Sequence, residues 1–199
     1  MQNKEMTAKM TEGLFIADTV STGLGRKFAK LLPEPLTIQT QTPMASPFGL
    51  STFPGDKGSA MSAQRVSLDL RCTDPATLAI FQEIDEWAPG EFAKHSERIF
   101  GKKMSLEQVQ ASSRPCLRCK QGFVPLLHTK ITLDGPNSTS FWDQQKQKCD
   151  PPDDFRHTSV LLKLVVPHLW ISAGTCGFVV NATSCQLQPQ QPVNEECPF

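Results

Sequence analysis

The chain has no tyrosine among its 199 residues and no net charge, with 20 basic against 20 acidic side chains. The first absence removes the commonest amphipathic stacking ring and leaves that work to 12 Phe and 3 Trp. The second removes the overall basic balance expected of a nucleic-acid binder. Long apolar runs are missing too. The longest, Leu161 to Trp170, is broken by Lys163, Pro167 and His168, so no membrane span is expected. No basic stretch followed by an apolar one opens the chain, and Glu5, Glu12 and Asp18 fall in the first 30 residues, against a secretory or transit segment. The seven cysteines, an odd number, are therefore expected as free thiols in an intracellular, reducing compartment: nucleus, cytoplasm or viral replication site.

Catalytic signatures are equally thin. There is no Gly-x-Ser-x-Gly elbow, no His-Glu-x-x-His and no glycine-rich phosphate loop; Gly23-Leu24-Gly25 lacks the rest of that pattern. Glu83, Asp85 and Glu86 share a predicted helix, where acids usually form a solvated face. Cys116-Leu117-Arg118-Cys119 has the gap that lets two thiolates reach one ion, but Cys149, His128 and His157 supply no second tight pair. The expectation is a non-enzymatic protein with neither metal nor cofactor.

What is present is β-type alternation. In Gln64 to Cys72, Val66, Leu68, Leu70 and Cys72 point one way, while Arg65, Ser67, Asp69 and Arg71 point the other. Leu36 to Thr40, Phe123 to Leu133, Val160 to Val166, Leu169 to Ser172 and Gly177 to Leu187 also read as strands. Ser140 to Gln144 reads as the returning strand of a hairpin through Asp134-Gly135-Pro136-Asn137. Residues 74–111 interrupt them as a helical insertion. Asp74-Pro75 opens a helix, Pro89-Gly90 is expected to stop it, a second helix spans about Glu91 to Phe100, and Ser105 to Gln108 forms a capping box for a third. The economical architecture is mainly β, a small Greek-key barrel whose closure removes exposed edges.

The charge is unevenly distributed. Residues 74–110 carry four basic and seven acidic side chains, and 134–199 the same, whereas 111–133 carry Arg114, Arg118, Lys120 and Lys130 with no acid. A positive strip between acidic flanks can bind phosphates. Bases stack on aromatic faces while Lys and Arg follow the phosphates. Phe48, Phe53, Phe123, Phe141, Trp142, Trp170 and Phe178 lie outside the helices, with Phe123 and Trp142 expected to be the exposed ones. The candidate nucleic-acid-binding residues are therefore Arg65, Arg71, Arg114, Arg118, Lys120, Phe123, Lys130, Trp142 and Lys163.

The order of features resembles a family of single-stranded-DNA-binding proteins from phages and large DNA viruses, with algal and protist relatives. The segments that carry it are Leu36 to Met44, Ser46-Pro47-Phe48-Gly49, Val66 to Leu70, Ile84-Asp85-Glu86, Ser96 to Ser105, Leu169-Trp170-Ile171 and Gly177 to Val180. The resemblance implies an OB-fold over residues 33–188 with the 74–111 helical insertion. It also implies binding of single-stranded DNA during replication, recombination or repair. Residues 1–32 are expected as an N-terminal arm and 189–199 as a flexible tail. The tail's Glu195, Glu196 and Phe199 are expected to contact replication or recombination proteins, as in single-strand binders that end in acidic tails. A homodimer is also compatible with this reading. A protein-interaction module on the same barrel is the alternative.

Overall fold

A computed structural model describes residues 15–21, 26–51 and 65–188. The fold is mainly β, with two mixed sheets and three helices among these residues. The larger sheet is built on β3 (Leu36–Gln39), β4 (Met44–Ala45), β5 (Leu50–Ser51), β6 (Arg65–Arg71), β8 (Leu117–Arg118), β9 (Leu126–Thr132), β10 (Ser140–Trp142), β11 (Lys148–Cys149), β12 (Ser159–Val166) and β15 (Asn181–Gln188). The smaller sheet runs β1 (Phe15–Ser21), β2 (Arg26–Leu32), β13 (His168–Ser172), β14 (Thr175–Phe178), β7 (Ser113–Arg114).

Pairing in the larger sheet follows a circuit. β6 runs antiparallel to β9, β9 parallel to β15, β15 antiparallel to β12, β12 antiparallel to β3 and β4, and β4 packs against β6. The alternation written in the sequence turns one side of each strand inward. Val66, Leu68, Leu70, Leu127, Ile131, Val160, Leu162, Leu164 and Val166 are buried in one core with Phe81 and Ile84 from the first helix. Burial of side chains of this size contributes about 1.5–3 kcal/mol each, which holds the circuit closed. Its parallel contact is short. Asn181 and Lys130 are its one register pair, extended by the Lys130 amide donating to the Val180 carbonyl at 2.8 Å. Thr139 continues it: its hydroxyl donates to the Ala182 carbonyl at 2.7 Å and accepts from the Thr132 amide at 3.2 Å.

Three helices, α1 (Pro75–Lys94), α2 (Ser96–Phe100) and α3 (Leu106–Ser112), occupy the expected insertion. Asp74 caps α1 by accepting from the Thr77 amide and hydroxyl, while its other oxygen accepts from Thr42. The capping box at Ser105 and Gln108 is formed in both directions. Pro89-Gly90 does not end the first helix. The helix continues to Lys94 because Ala88 and Phe92, on either side of the pair, are buried in a second core with Leu169, Ile171 and Cys176. Tertiary burial there outweighs the local cost of a proline inside a helix.

Other expectations change as well. The N-terminal segment read as an arm contains the β1–β2 hairpin, sheeted against β13 through pairs such as Leu169–Ala29. Buried Ile16, Ala29 and Leu31 explain why it docks rather than trails. Ser140 to Trp142 does not fold back on β9 as a hairpin strand; it pairs in parallel with β15 and antiparallel with β11. Gly177 to Leu187 is two strands in two sheets, β14 and β15. No helix of the described residues is long and apolar enough to cross a membrane.

Candidate nucleic-acid interface

The outward side of the β6–β9 pair is where the candidate residues converge. Register places Arg65 opposite Thr132, Ser67 opposite Lys130, Asp69 opposite His128 and Arg71 opposite Leu126. With Val66, Leu68 and Leu70 inward, Arg65, Asp69 and Arg71 must face away from the core. Arg65 and Arg71 are six residue steps apart along the strand, about 20 Å at the usual rise.

At the Arg71 end, β8 adds Arg118 opposite the same Leu126, so two guanidinium groups flank one aliphatic side chain. This placement is set from the helix. Asp85 on α1 accepts from the Cys116 and Leu117 amides at 2.7 and 2.9 Å, which fixes the strand that carries Arg118. Burial pushes the Asp85 carboxyl up despite those two hydrogen bonds. Asp85 therefore ties a helix to a strand instead of lying on a solvated acidic face. After Arg118 the chain turns. The Phe123 amide donates to the Lys120 carbonyl at 3.0 Å, with Gly122 at φ 80°, the geometry of a type II turn that a side chain with a Cβ resists. The turn leaves Phe123 67% exposed and sets the Lys120 ammonium 5.0 Å from its ring centre.

The same groove holds a ring that is absent from the candidate nucleic-acid-binding residues. Phe48 is 66% exposed. It lies between Pro47 and Gly49, and Gly49 has φ 73° and backs onto Arg156, whose Cγ would lie 2.8 Å from an added Cβ. The buried Ser46 hydroxyl accepts from the Gly49 amide at 3.1 Å. These contacts hold Phe48 outward. The signal in the sequence is an aromatic between two turn formers. Together Pro47, Phe48, Arg71, Arg118, Lys120 and Phe123 line a shallow groove of about 500 Å³. Large exposed apolar rings grouped with cations mark an interaction site rather than a core.

Midway along the face, Asp69 accepts from Arg118 at 3.1 Å and is 2.7 Å from the His128 Nδ1. Burial raises its carboxyl, but the His128 hydrogen bond and the charges of Arg118 and His128 outweigh that and hold it below the usual carboxylate range. At the far end Arg65 donates from Nη2 to the Asn181 side-chain oxygen at 2.7 Å, while its Nε is sealed from water and makes no hydrogen bond. Lys130 is pushed down to about 8 by burial and by the Arg65 charge. His168 is lowered by burial, then by Arg65 and Lys130.

The remaining candidates lie elsewhere. Trp142 and Lys163 line a separate hollow of about 290 Å³ with Lys146, Leu161 and Gln186. Arg114 is on β7 in the smaller sheet, beside a cavity of about 440 Å³ that includes Glu86, Phe92 and Phe178. The stretch from Arg114 to Lys130 therefore does not form one groove with Trp142. Glu195, Glu196 and Phe199 lie outside the described residues, as does Phe53. Cys116 is buried, with its thiol pushed well up by desolvation and by Asp85. Among the described residues no group of three or more His, Cys, Asp or Glu is placed to hold a metal ion.

No protein-family model and no curated sequence matches the chain. A solved structure does. Gp2.5, a single-stranded DNA binding protein encoded by bacteriophage T7, superposes with a TM-score of 0.51 at 13% identity, over 80% of this chain and 96% of that one. The likeness is one of fold. The single-stranded DNA-binding protein of bacteriophage Enc34, solved with ssDNA, aligns over 89% of this chain and 96% of its own at 12% identity, with a TM-score of 0.45.

Proposed function

We propose that the chain binds single-stranded DNA with little sequence preference, in an OB-type barrel, without catalysing a reaction. The observation that carries this reading is the groove of Phe48, Phe123, Arg71, Arg118 and Lys120. Two rings two-thirds exposed offer faces to any base, and three cations beside them offer partners to the backbone. The strand circuit supports it. Numbering the barrel strands in chain order from the β3–β4 segment through β6, β9, β12 to β15 gives the neighbour order 1-2-3-5-4-1. The groove then falls on the strand 2–3 face, which OB-folds use for oligonucleotides. The fold shared with gp2.5 supports it as well, since that protein is a single-strand binder.

Fluorescence anisotropy with labelled oligo-dT tests the reading. Binding should be tight at low salt and weaken as salt rises, with a log–log slope of about −0.7 per phosphate neutralised. No binding at low salt would sink it, because the electrostatic attraction is then at its greatest. The roles that follow are protection of single strands in replication, recombination or repair, in a reducing intracellular compartment. Contacts with proteins of those processes through Glu195, Glu196 and Phe199, and self-association as a homodimer, belong to the same proposal. The neutral overall charge and the apolar share of the groove favour one second reading, a protein-interaction module. Capture of a stable partner by nuclease-treated protein, with no oligonucleotide binding, would select it.

A further inference from the structure

We propose that His128 is a positioning residue for Arg118: when the imidazole gains a proton it takes over the Asp69 carboxylate and releases the guanidinium to the phosphates of a bound strand. The inference rests on the groove reading and deepens it, giving that site a pH-dependent control. Three strands meet here through direct contacts. Arg118 on β8 donates from Nη1 to Asp69 Oδ2 at 3.1 Å, and His128 Nδ1 on β9 lies 2.7 Å from Oδ1 of the same carboxylate on β6. Arg118 Nη2 lies 3.3 Å from that same histidine nitrogen. Of the three side chains Asp69 is the most enclosed and Arg118 the most open.

Hydrogen-bond roles decide what this triangle can do. Against burial, which raises it, the His128 hydrogen bond and the Arg118 charge hold the Asp69 carboxyl below the usual range, so it is ionised wherever histidine titrates. An ionised carboxylate only accepts, so Nδ1 carries the hydrogen presented to Oδ1. That nitrogen then has no lone pair for Arg118 Nη2, and their approach is a contact between two donors. With the imidazole neutral, Arg118 supplies positive charge at Asp69. Its departure would leave an enclosed carboxylate facing a neutral ring, a cost that opposes phosphate binding. A second proton, at Nε2, makes the Nδ1 bond charge-assisted and sets two cations on one anion. The one that leaves is Arg118, which is more exposed and already lines the groove.

The surrounding charges leave this exchange as the one open to the carboxylate. Among the described residues, β6 presents Asp69 and, two residues on, Arg71; β8 presents Arg118; β9 itself carries Lys130 two residues from His128. β15 meets β9 through Asn181, which does not titrate. Asp69 is the one acid on these four strands.

Oligo-dT anisotropy at constant ionic strength tests the proposal, because neither thymine nor a phosphodiester titrates where histidine does. From about pH 7 to about pH 5.5 the dissociation constant should fall about threefold, the size of one surface charge pair. His128→Gln should flatten that profile. Arg118→Gln should flatten it too, although the histidine still titrates. Asp69→Asn should bind at the higher pH as tightly as the wild type does at the lower, with little further gain. Melting profiles confirm that each variant folds. A pH response that persists in Arg118→Gln means that the imidazolium meets the phosphate itself, and overturns the proposal. Wild-type binding that is flat with pH also overturns it and leaves the groove reading standing. No binding at any pH removes the groove reading and this control with it.

Discussion

The two ends of the β6–β9 face are built from the same strands and the same alternation, yet they hold their charges differently. At the Arg71 end the cations stand in solvent beside two exposed rings, and one of them, Arg118, is answered by Asp69. At the Arg65 end Arg65, which donates to the Asn181 side-chain oxygen, and Lys130 are half buried, and burial lowers the basicity of both. What differs is what lies over the strands. The Lys120–Phe123 turn and Pro47 to Gly49 border one end, while β13 brings His168 within reach of the charges at the other. The comparison teaches that a basic residue's role on a strand is decided less by its face than by its neighbour across the gap.

The comparison can be broken outright through the shared core. Leu68, fully buried beneath both ends, should cost about 2–5 kcal/mol of stability as Leu68→Ala, seen as a lower denaturant midpoint, with both ends affected together. The open end is isolated by Phe48→Ala and Phe123→Ala. Each should weaken oligo-dT binding by about 1–3 kcal/mol per stacked base. Thermal melting should stay nearly unchanged, because neither ring is packed. A large loss of melting temperature with intact binding would contradict the assignment.

Asp69→Asn probes the middle of the face. Freed from its carboxylate, Arg118 should bind DNA more tightly by about 1 kcal/mol, with a salt slope steeper by up to about 0.7. The same carboxyl has a pH signature. Its folded-state value lies below the unfolded one, so its contribution is full above the ordinary aspartate value and disappears as pH falls through the depressed value. Acid denaturation profiles of wild type and Asp69→Asn should converge there. Lys130 gives a slope of the same sign at the closed end, in a higher pH window. Folded, it releases its proton near 8, below the unfolded lysine, so the unfolded state binds more protons and stability should rise from about pH 8 toward the ordinary lysine value. Lys130→Met should flatten that rise. The smallest effect is expected from Arg114→Ala, less than about twofold on binding, since β7 lies in the other sheet.

Local features were legible in the sequence because they depend on neighbours in the chain. The inward series Val66, Leu68, Leu70, the cap at Asp74 and the box at Ser105 follow from spacing alone. So did the grouping of Arg118, Lys120 and Phe123, which one turn holds together. Asp134 to Asn137 reads as a hairpin turn, which would bring Trp142 toward them. Its ladder is instead set by β15, more than 40 residues away, through pairs such as Trp142–Gln186. His168 and Asn181 gave no local signal, because their roles arise only when β13 and β15 arrive beside β6 and β9. Phe48 was readable as a loop aromatic, but nothing nearby in the chain showed that Arg156 and Ser46 would hold it outward.

The strand circuit of the larger sheet meets itself in parallel through one register pair and the Thr139 hydroxyl. A ladder that short has little redundancy. A methyl in place of the hydroxyl would strand both the Thr132 amide and the Ala182 carbonyl at once. Loss of the parallel join would open the circuit while leaving its long antiparallel ladders paired. Lys130 and Asn181 sit at that join, with Arg65 tethered to one of them. The Arg65 bond to Asn181 crosses the same seam, so a side-chain clasp reinforces a join that the backbone register makes at a single pair.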